Sequence, residues 1–229
     1  MSAAWAKIMH EAAGFAQKMT LDRMIFWEVD AQVDFTLPGG KLYVPGAEKI
    51  ISNIKRLVDR APEGGILLVA SADAHLPDDP EFKLFPAHCV KGTPGAQIIP
   101  QGLLVKRLII PNDASFALPQ DLSEYEQIVL EKQTVDVFNN PKAGELVQSL
   151  GPHVEYVVFG LVTEYCVRCA AKGLLERGRK VTIVRDAIET LKAEEGSRAL
   201  EELEALGARL ISTEQAVSMV AAPAPPRGF

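Results

Sequence analysis

Residues 156–178 read YVVFGLVTEYCVRCAAKGLLERG, and this stretch decides the fold. Tyr156 to Phe159 is a short β-prone apolar run, and Cys166 to Arg177 carries apolar side chains at helical spacing. Gly178 follows, at the point where a helix end favours a left-handed residue. A buried strand that feeds an amphipathic helix is the beginning of a parallel βαβ unit. The pattern recurs on both sides. Met24–Val29, Ile66–Ala70, Ile128–Leu130 and Val181–Val184 read as buried strands, and Leu210 with Ile211 as a short sixth. Ala47–Val58, Ala143–Leu150 and Glu194–Leu206 read as helices, with Gly207 just past the last of them. The alternation predicts a Rossmann-like three-layer α/β/α fold around a mainly parallel six-stranded sheet.

The 229 residues suit one α/β domain, expected over residues 21–220. Before it, residues 1–20 place Trp5, Ile8, Met9, Ala12, Ala16 and Met19 on one face of a predicted helix. After it, residues 221–229 form a Pro/Ala-rich tail. Trp5, Phe15 and the tail offer apolar surface, so a homo-oligomer is expected. Residues 73–126 break the alternation; they are rich in Pro, Asp and Gly, with one further apolar run at Leu103–Ile110. A long irregular insertion in a compact domain usually has a functional task.

The net charge of −6 and the lack of any basic run argue against nucleic-acid binding. The apolar stretches are too short to span a bilayer, and Lys7, His10 and Glu11 interrupt any signal-peptide core. Three cysteines do not make a disulfide framework, so a reducing cytoplasm is the expected location.

In an open parallel sheet, ligands bind beyond the carboxyl ends of the strands. Asp30, Gln32 and Asp34 follow the first predicted strand, Asp73 and His75 the second, Lys132 the third and Cys166 the fourth. Cys166 falls near a helix start, where unpaired N–H groups and partial positive charge favour a thiolate and can bind an oxyanion. A thiol nucleophile needs a proton acceptor and a nearby cation, and Asp30 and Lys132 are the candidates. Each has a plainer alternative: a buried structural cysteine, a capping aspartate, a snorkelling surface lysine. Cys166 and Cys169 also form a Cys-x-x-Cys pair, but a zinc knuckle lacks its second pair and a thioredoxin-like fold would be shorter. Asp73-Ala74-His75 sets a carboxylate and an imidazole on one side of a strand end, and His88 can arrive from the loop. One carboxylate and two imidazoles suit one divalent ion, namely zinc, iron(II) or manganese, with Glu81 a fourth candidate ligand.

Six segments in order resemble the isochorismatase-like cysteine hydrolases, and within them the nicotinamidase (pyrazinamidase) branch. They are Val29–Phe35 (VDAQVDF), Pro38–Gly46 (PGGKLYVPG), Asp73–His75 (DAH), Phe85–Gly95 (FPAHCVKGTPG), Lys132 and Gly160–Val167 (GLVTEYCV). The resemblance spans about residues 24–215 and implies a catalytic triad of Asp30, Lys132 and Cys166. It also implies a cis peptide between Leu161 and Val162, an oxyanion hole of the Val162 and Cys166 N–H groups, and metal ligands Asp73, His75 and His88, with zinc the expected ion. Phe35, Leu42, Phe85, Phe138, Leu161 and Tyr165 are expected around a flat substrate ring. The implied activity is hydrolysis of nicotinamide to nicotinate and ammonia through a thioester. The alternatives are another small amide or ureido substrate, or a non-catalytic binding protein. The sequence departs from the family pattern at Glu28, Val33, Gln133, Glu164 and Asp136–Pro141.

Overall fold

The computed structural model describes residues 23–220; the predicted N-terminal helix and the Pro/Ala-rich tail lie outside the described residues. In chain order the elements are β1 (Arg23–Val29), α1 (Val33–Thr36), α2 (Ile51–Glu63), β2 (Leu67–Asp73), β3 (Arg107–Ile110), β4 (Gln127–Lys132) and α3 (Ala143–Ser149). Then follow β5 (Val154–Gly160), α4 (Arg168–Glu176), β6 (Lys180–Ile188), α5 (Ala193–Ala205), β7 (Arg209–Ile211) and α6 (Thr213–Met219). The sheet order is β3-β4-β2-β1-β5-β6-β7, with every neighbouring pair parallel.

The sheet therefore has seven strands rather than the expected six. The added strand, β3, comes from the apolar run at residues 103–110, but it lies at the edge. There Arg107 and Ile109 stay exposed, so the run lacks the continuous burial that marks an interior strand. Helix α6 is also additional, being too short to show a clear period. Its signal lies in its cap: Ser212 and Gln215 form a capping box, each side chain satisfying the other's main-chain N–H.

Alternation along the central strands divides the core into two faces. Ile25, Trp27, Tyr156 and Val158 face Leu146 and Val147 of α3 and Ala170 and Leu174 of α4. Phe26, Leu68, Val157 and Phe159 face Ile54, Leu57 and Val58 of α2. Phe26 and Phe159 meet edge to face at 6.1 Å between ring centres. Among the described residues no helix is long and apolar enough to cross a membrane.

The chain runs from β1 outward through β2, then restarts on the other side of β1 with β5. The carboxyl ends of β1 and β5 thus flank the point where the strand order reverses, the usual mouth of a ligand site.

Candidate active site

Strand β1 ends at Asp30, a non-glycine residue held in the left-handed region at φ 46°. Two bonds from β2 hold it there. The Asp30 N–H donates to the Ser71 carbonyl (3.1 Å), and the Ser71 hydroxyl donates to Asp30 Oδ1 (2.7 Å). Beyond it, Gln32 straps the ends of β1 and β2 together. Its Nε2 donates to the carbonyls of Asp73 (2.8 Å) and Ala96 (2.7 Å), and its Oε1 accepts from the Asp73 N–H (2.7 Å). Asp34 accepts from the N–H groups of Lys41 (3.0 Å) and Cys89 (2.8 Å), anchoring the loop that carries His88. Ser71, Gln32 and Asp34 are therefore scaffolding, and only their contacts reveal it.

The nucleophile candidate arrives from β5. At Gly160 (φ 116°) an added Cβ would stand 2.1 Å from the Val29 carbonyl oxygen, so glycine alone lets the two strand ends approach so closely. The Leu161–Val162 peptide is cis. Residues Thr163–Val167 then form one π-helical turn that leads directly into α4, so Cys166 sits in a π turn near the predicted helix start.

Lys132, at the end of β4, joins these parts. Its Nζ lies 2.9 Å from Asp30 Oδ2, within hydrogen-bonding reach of Asp73 Oδ1, and 3.6 Å from Cys166 Sγ. All four side chains are buried. Burial alone would discharge Lys132, but the two carboxylates outweigh it and hold the ammonium well above its usual range. Burial raises the Asp30 carboxyl, with Lys132 opposing and Asp73 reinforcing the shift. Burial also pushes the Cys166 thiol well up; Lys132 opposes this, and Asp30 and Asp73 add to it. A helix start would favour a thiolate. Here burial and two nearby carboxylates work against that and push the Cys166 thiol up, beside an Asp30 carboxyl that burial also raises.

Asp73 leads into the metal cluster. Burial would raise its carboxyl, but Lys132 and the imidazoles of His75 and His88 hold it well below the carboxylate range. Ligand atoms of Asp73, His75 and His88 all lie within 4.8 Å of one another, and all three residues are buried. Asp73 Oδ2 stands 3.6 Å from His75 Nε2 and 3.7 Å from His88 Nε2. The outer nitrogens are held in place: His75 Nδ1 lies 3.0 Å from Asp79 Oδ2, and His88 Nδ1 lies 2.7 Å from the Pro86 carbonyl. Both rings bring Nε2 towards Asp73, and neither ring nitrogen of the buried His75 has a hydrogen-bond partner of good geometry among the described residues, although Nδ1 lies close to Asp79. A divalent ion fits this donor set, with outer contacts of the kind that orient ligating histidines. Glu81 lines the adjoining cavity and stands outside the cluster of mutually close ligand atoms. It sits half-buried on the short helical turn Pro80–Lys83.

A cavity connects Cys166 with the cluster. Phe35, Leu42, Phe85, Val135, Val162, Tyr165 and Leu191 form its walls, with Asp73, Glu81 and His88 on its polar side. Phe85 stands edge-on to Tyr165, with ring centres 6.0 Å apart. Two expected pocket residues are elsewhere. Phe138 packs on Trp27 and fills the space left by Gly173, with the Arg177 guanidinium 3.8 Å over its ring. Leu161 is fully buried in the core beside the cavity. Val135, Leu191 and Asp79 are additions to the expected site, since loop residues carry no periodic signal in the sequence.

A family profile described as "Isochorismatase domain" matches residues 25–106 and 104–215. The nicotinamidase of Escherichia coli (strain K12) is 27% identical over 207 residues, covering 80% of this chain and 91% of that protein. The nicotinamidase of Saccharomyces cerevisiae is 26% identical over 191 residues, covering 69% of this chain and 84% of that protein. Among solved structures, the zinc complex of the pyrazinamidase of Pyrococcus horikoshii superposes with a TM-score of 0.67 at 29% identity, covering 83% of this chain and 99% of that one. In this chain the buried Asp-His-His cluster adjoins a buried cysteine at the mouth of the sheet, a catalytic site of the amidohydrolase type.

Proposed function

The chain belongs to the isochorismatase family of hydrolases, and from that premise we propose that it hydrolyses nicotinamide to nicotinate and ammonia, with Cys166 as nucleophile. The observation that carries this reading is the cavity that Cys166 shares with Asp73 and His88, two members of the Asp73, His75 and His88 cluster. A divalent ion held by those three residues would supply a cationic, Lewis-acidic centre beside the ring pocket. Zinc is the ion we propose, because the relative from Pyrococcus horikoshii was solved as a zinc complex.

Asp30 accepts the proton of the Cys166 thiol as sulfur attacks the carboxamide carbon. Lys132, 3.6 Å from the sulfur, keeps the charge balanced while the thiol proton moves to the carboxylate. The main-chain N–H groups of Val162 and Cys166 receive the developing oxyanion. Protonated Asp30 then delivers its proton to the departing nitrogen, and ammonia leaves a Cys166 thioester. Water, deprotonated by Asp30, hydrolyses that ester and restores the thiol. Phe35, Phe85 and Tyr165 hold the flat ring, a positioning contribution.

The test is ammonia release from nicotinamide by the wild type and by Cys166→Ala. The variant is expected to lose turnover while still binding nicotinamide, and retained turnover would overturn the assignment. The three free thiols suit a reducing compartment, and association with a second copy is expected; light scattering of the purified protein tests the latter.

A further inference from the structure

The residues after β6, 189–192, form a wall that is itself neither helix nor strand. Leu191 lines the cavity there and is 37% exposed. The cavity is narrow, with a volume of about 30 Å³. A wall of this kind decides what enters only if its backbone is fixed, because an apolar contact fades within a fraction of an ångström.

The fixing comes from the π turn that carries Cys166. The Thr163 N–H and hydroxyl both donate to the Glu189 carbonyl, at 2.9 Å and 2.7 Å. Glu164 Oε1 accepts from the N–H groups of Leu191 (3.0 Å) and Lys192 (2.9 Å), and Oε2 accepts from the Thr190 hydroxyl (2.6 Å). One carboxylate thus ties three consecutive residues, through bonds strengthened by its charge. From the other side α5 closes on the same segment. At Gly196, in its first turn, an added Cβ would stand 2.5 Å from Thr190 Oγ1. Wall and nucleophile are therefore referenced to one turn of chain.

Building on the amide-hydrolase reading above, we propose that Glu164 is a positioning residue that sets Leu191 against the cavity and so restricts the enzyme to carboxamides borne on a small, unsubstituted flat ring. Glu164 touches no reacting atom; it acts through Leu191. A fixed apolar wall discriminates by about 10- to 200-fold for one added methylene.

The experiment measures kcat and KM for nicotinamide and for the singly ring-methylated nicotinamides in wild type, Glu164→Ala, Glu164→Gln, Leu191→Ala and Gly196→Ala. Wild type is expected to prefer nicotinamide over its worst methylated analogue by about 10-fold or more. Glu164→Ala, Leu191→Ala and Gly196→Ala should each lower that preference several-fold, with KM rising more than kcat falls. Glu164→Gln keeps an acceptor for both N–H groups and should restore most of the preference. An unchanged preference in Glu164→Ala and Gly196→Ala, or equal loss of kcat on every substrate, would overturn the proposal. If wild type releases no ammonia from nicotinamide, the substrate assignment fails alone. The same ratio is then taken on whichever of pyrazinamide, maleamate or a carbamoyl compound it cleaves, against the methylated analogue. There too a several-fold drop supports the role of Glu164, and an unchanged ratio overturns it.

Discussion

Lys132 shows how much one side chain carries here. It is the fully buried cation that Asp30, Asp73 and Cys166 share. Replacing it with methionine would leave two carboxylates buried and uncompensated, at a cost of about 3–5 kcal/mol. Lys132→Met is therefore expected to lose ammonia release and to unfold at markedly lower urea, measured by denaturant titration. Asp79 acts one step further out, by holding the His75 ring at Nδ1. Asp79→Ala should weaken zinc binding about 10- to 100-fold in a chelator competition while the triad geometry stays intact. Unchanged zinc affinity would mean that His75 needs no outer partner. The sequence offered Lys132 and His75 by their places after predicted strands. It offered nothing for Asp79, whose role depends on a loop folding back over four residues.

At the scale of elements, β1 holds a conflict that the sequence already displayed at Glu28, where the family pattern has an apolar residue. Glu28 is fully buried, neither carboxylate oxygen has a hydrogen-bond partner among the described residues, and Gly102 packs directly over Oε1. Burial, reinforced by Asp30, holds its carboxyl well above the usual range, which favours the neutral form. Between the unfolded and folded values the native chain binds the extra proton. Its stabilising effect is thus complete below the unfolded value, near pH 4.3, and is lost as pH rises towards the folded value. Glu28→Gln is expected to flatten the decline of the melting temperature as pH rises above the unfolded value, read in a thermal melt series. A wild type whose melting temperature rises over that range would contradict the neutral Glu28. Helix α4 makes a second, steric point. Phe138 fills the space beside Gly173, where a Cβ would fall 2.2 Å from the ring. Gly173→Ala should cost about 1–3 kcal/mol through overpacking, read from a urea midpoint.

At the scale of the whole molecule, residues 23–220 hold a seven-stranded sheet with helices on both of its faces. A chain of residues 21–220 is expected to fold and release ammonia at a rate close to that of the full chain; loss of activity would assign residues 1–20 or the tail a part in the site. Removing metal with a chelator should raise the nicotinamide KM and lower the melting temperature, since an ion that binds only the folded chain stabilises it. Zinc should restore both. The sequence by itself determined the layer order, the parallel sheet and the strand-end residues Asp30, Asp73, Lys132 and Cys166, because burial and strand-to-helix alternation are written in local periodicity. The tertiary structure decided what periodicity cannot encode. It added β3 as an exposed edge, moved Cys166 into a π turn, and withdrew Phe138 and Leu161 from the pocket in favour of Val135 and Leu191. It also buried Cys166 beside two carboxylates, which push its thiol up against the pull of Lys132. These outcomes depend on contacts between residues far apart in the chain, and on charges that only the folded sheet brings within a few ångströms of one another.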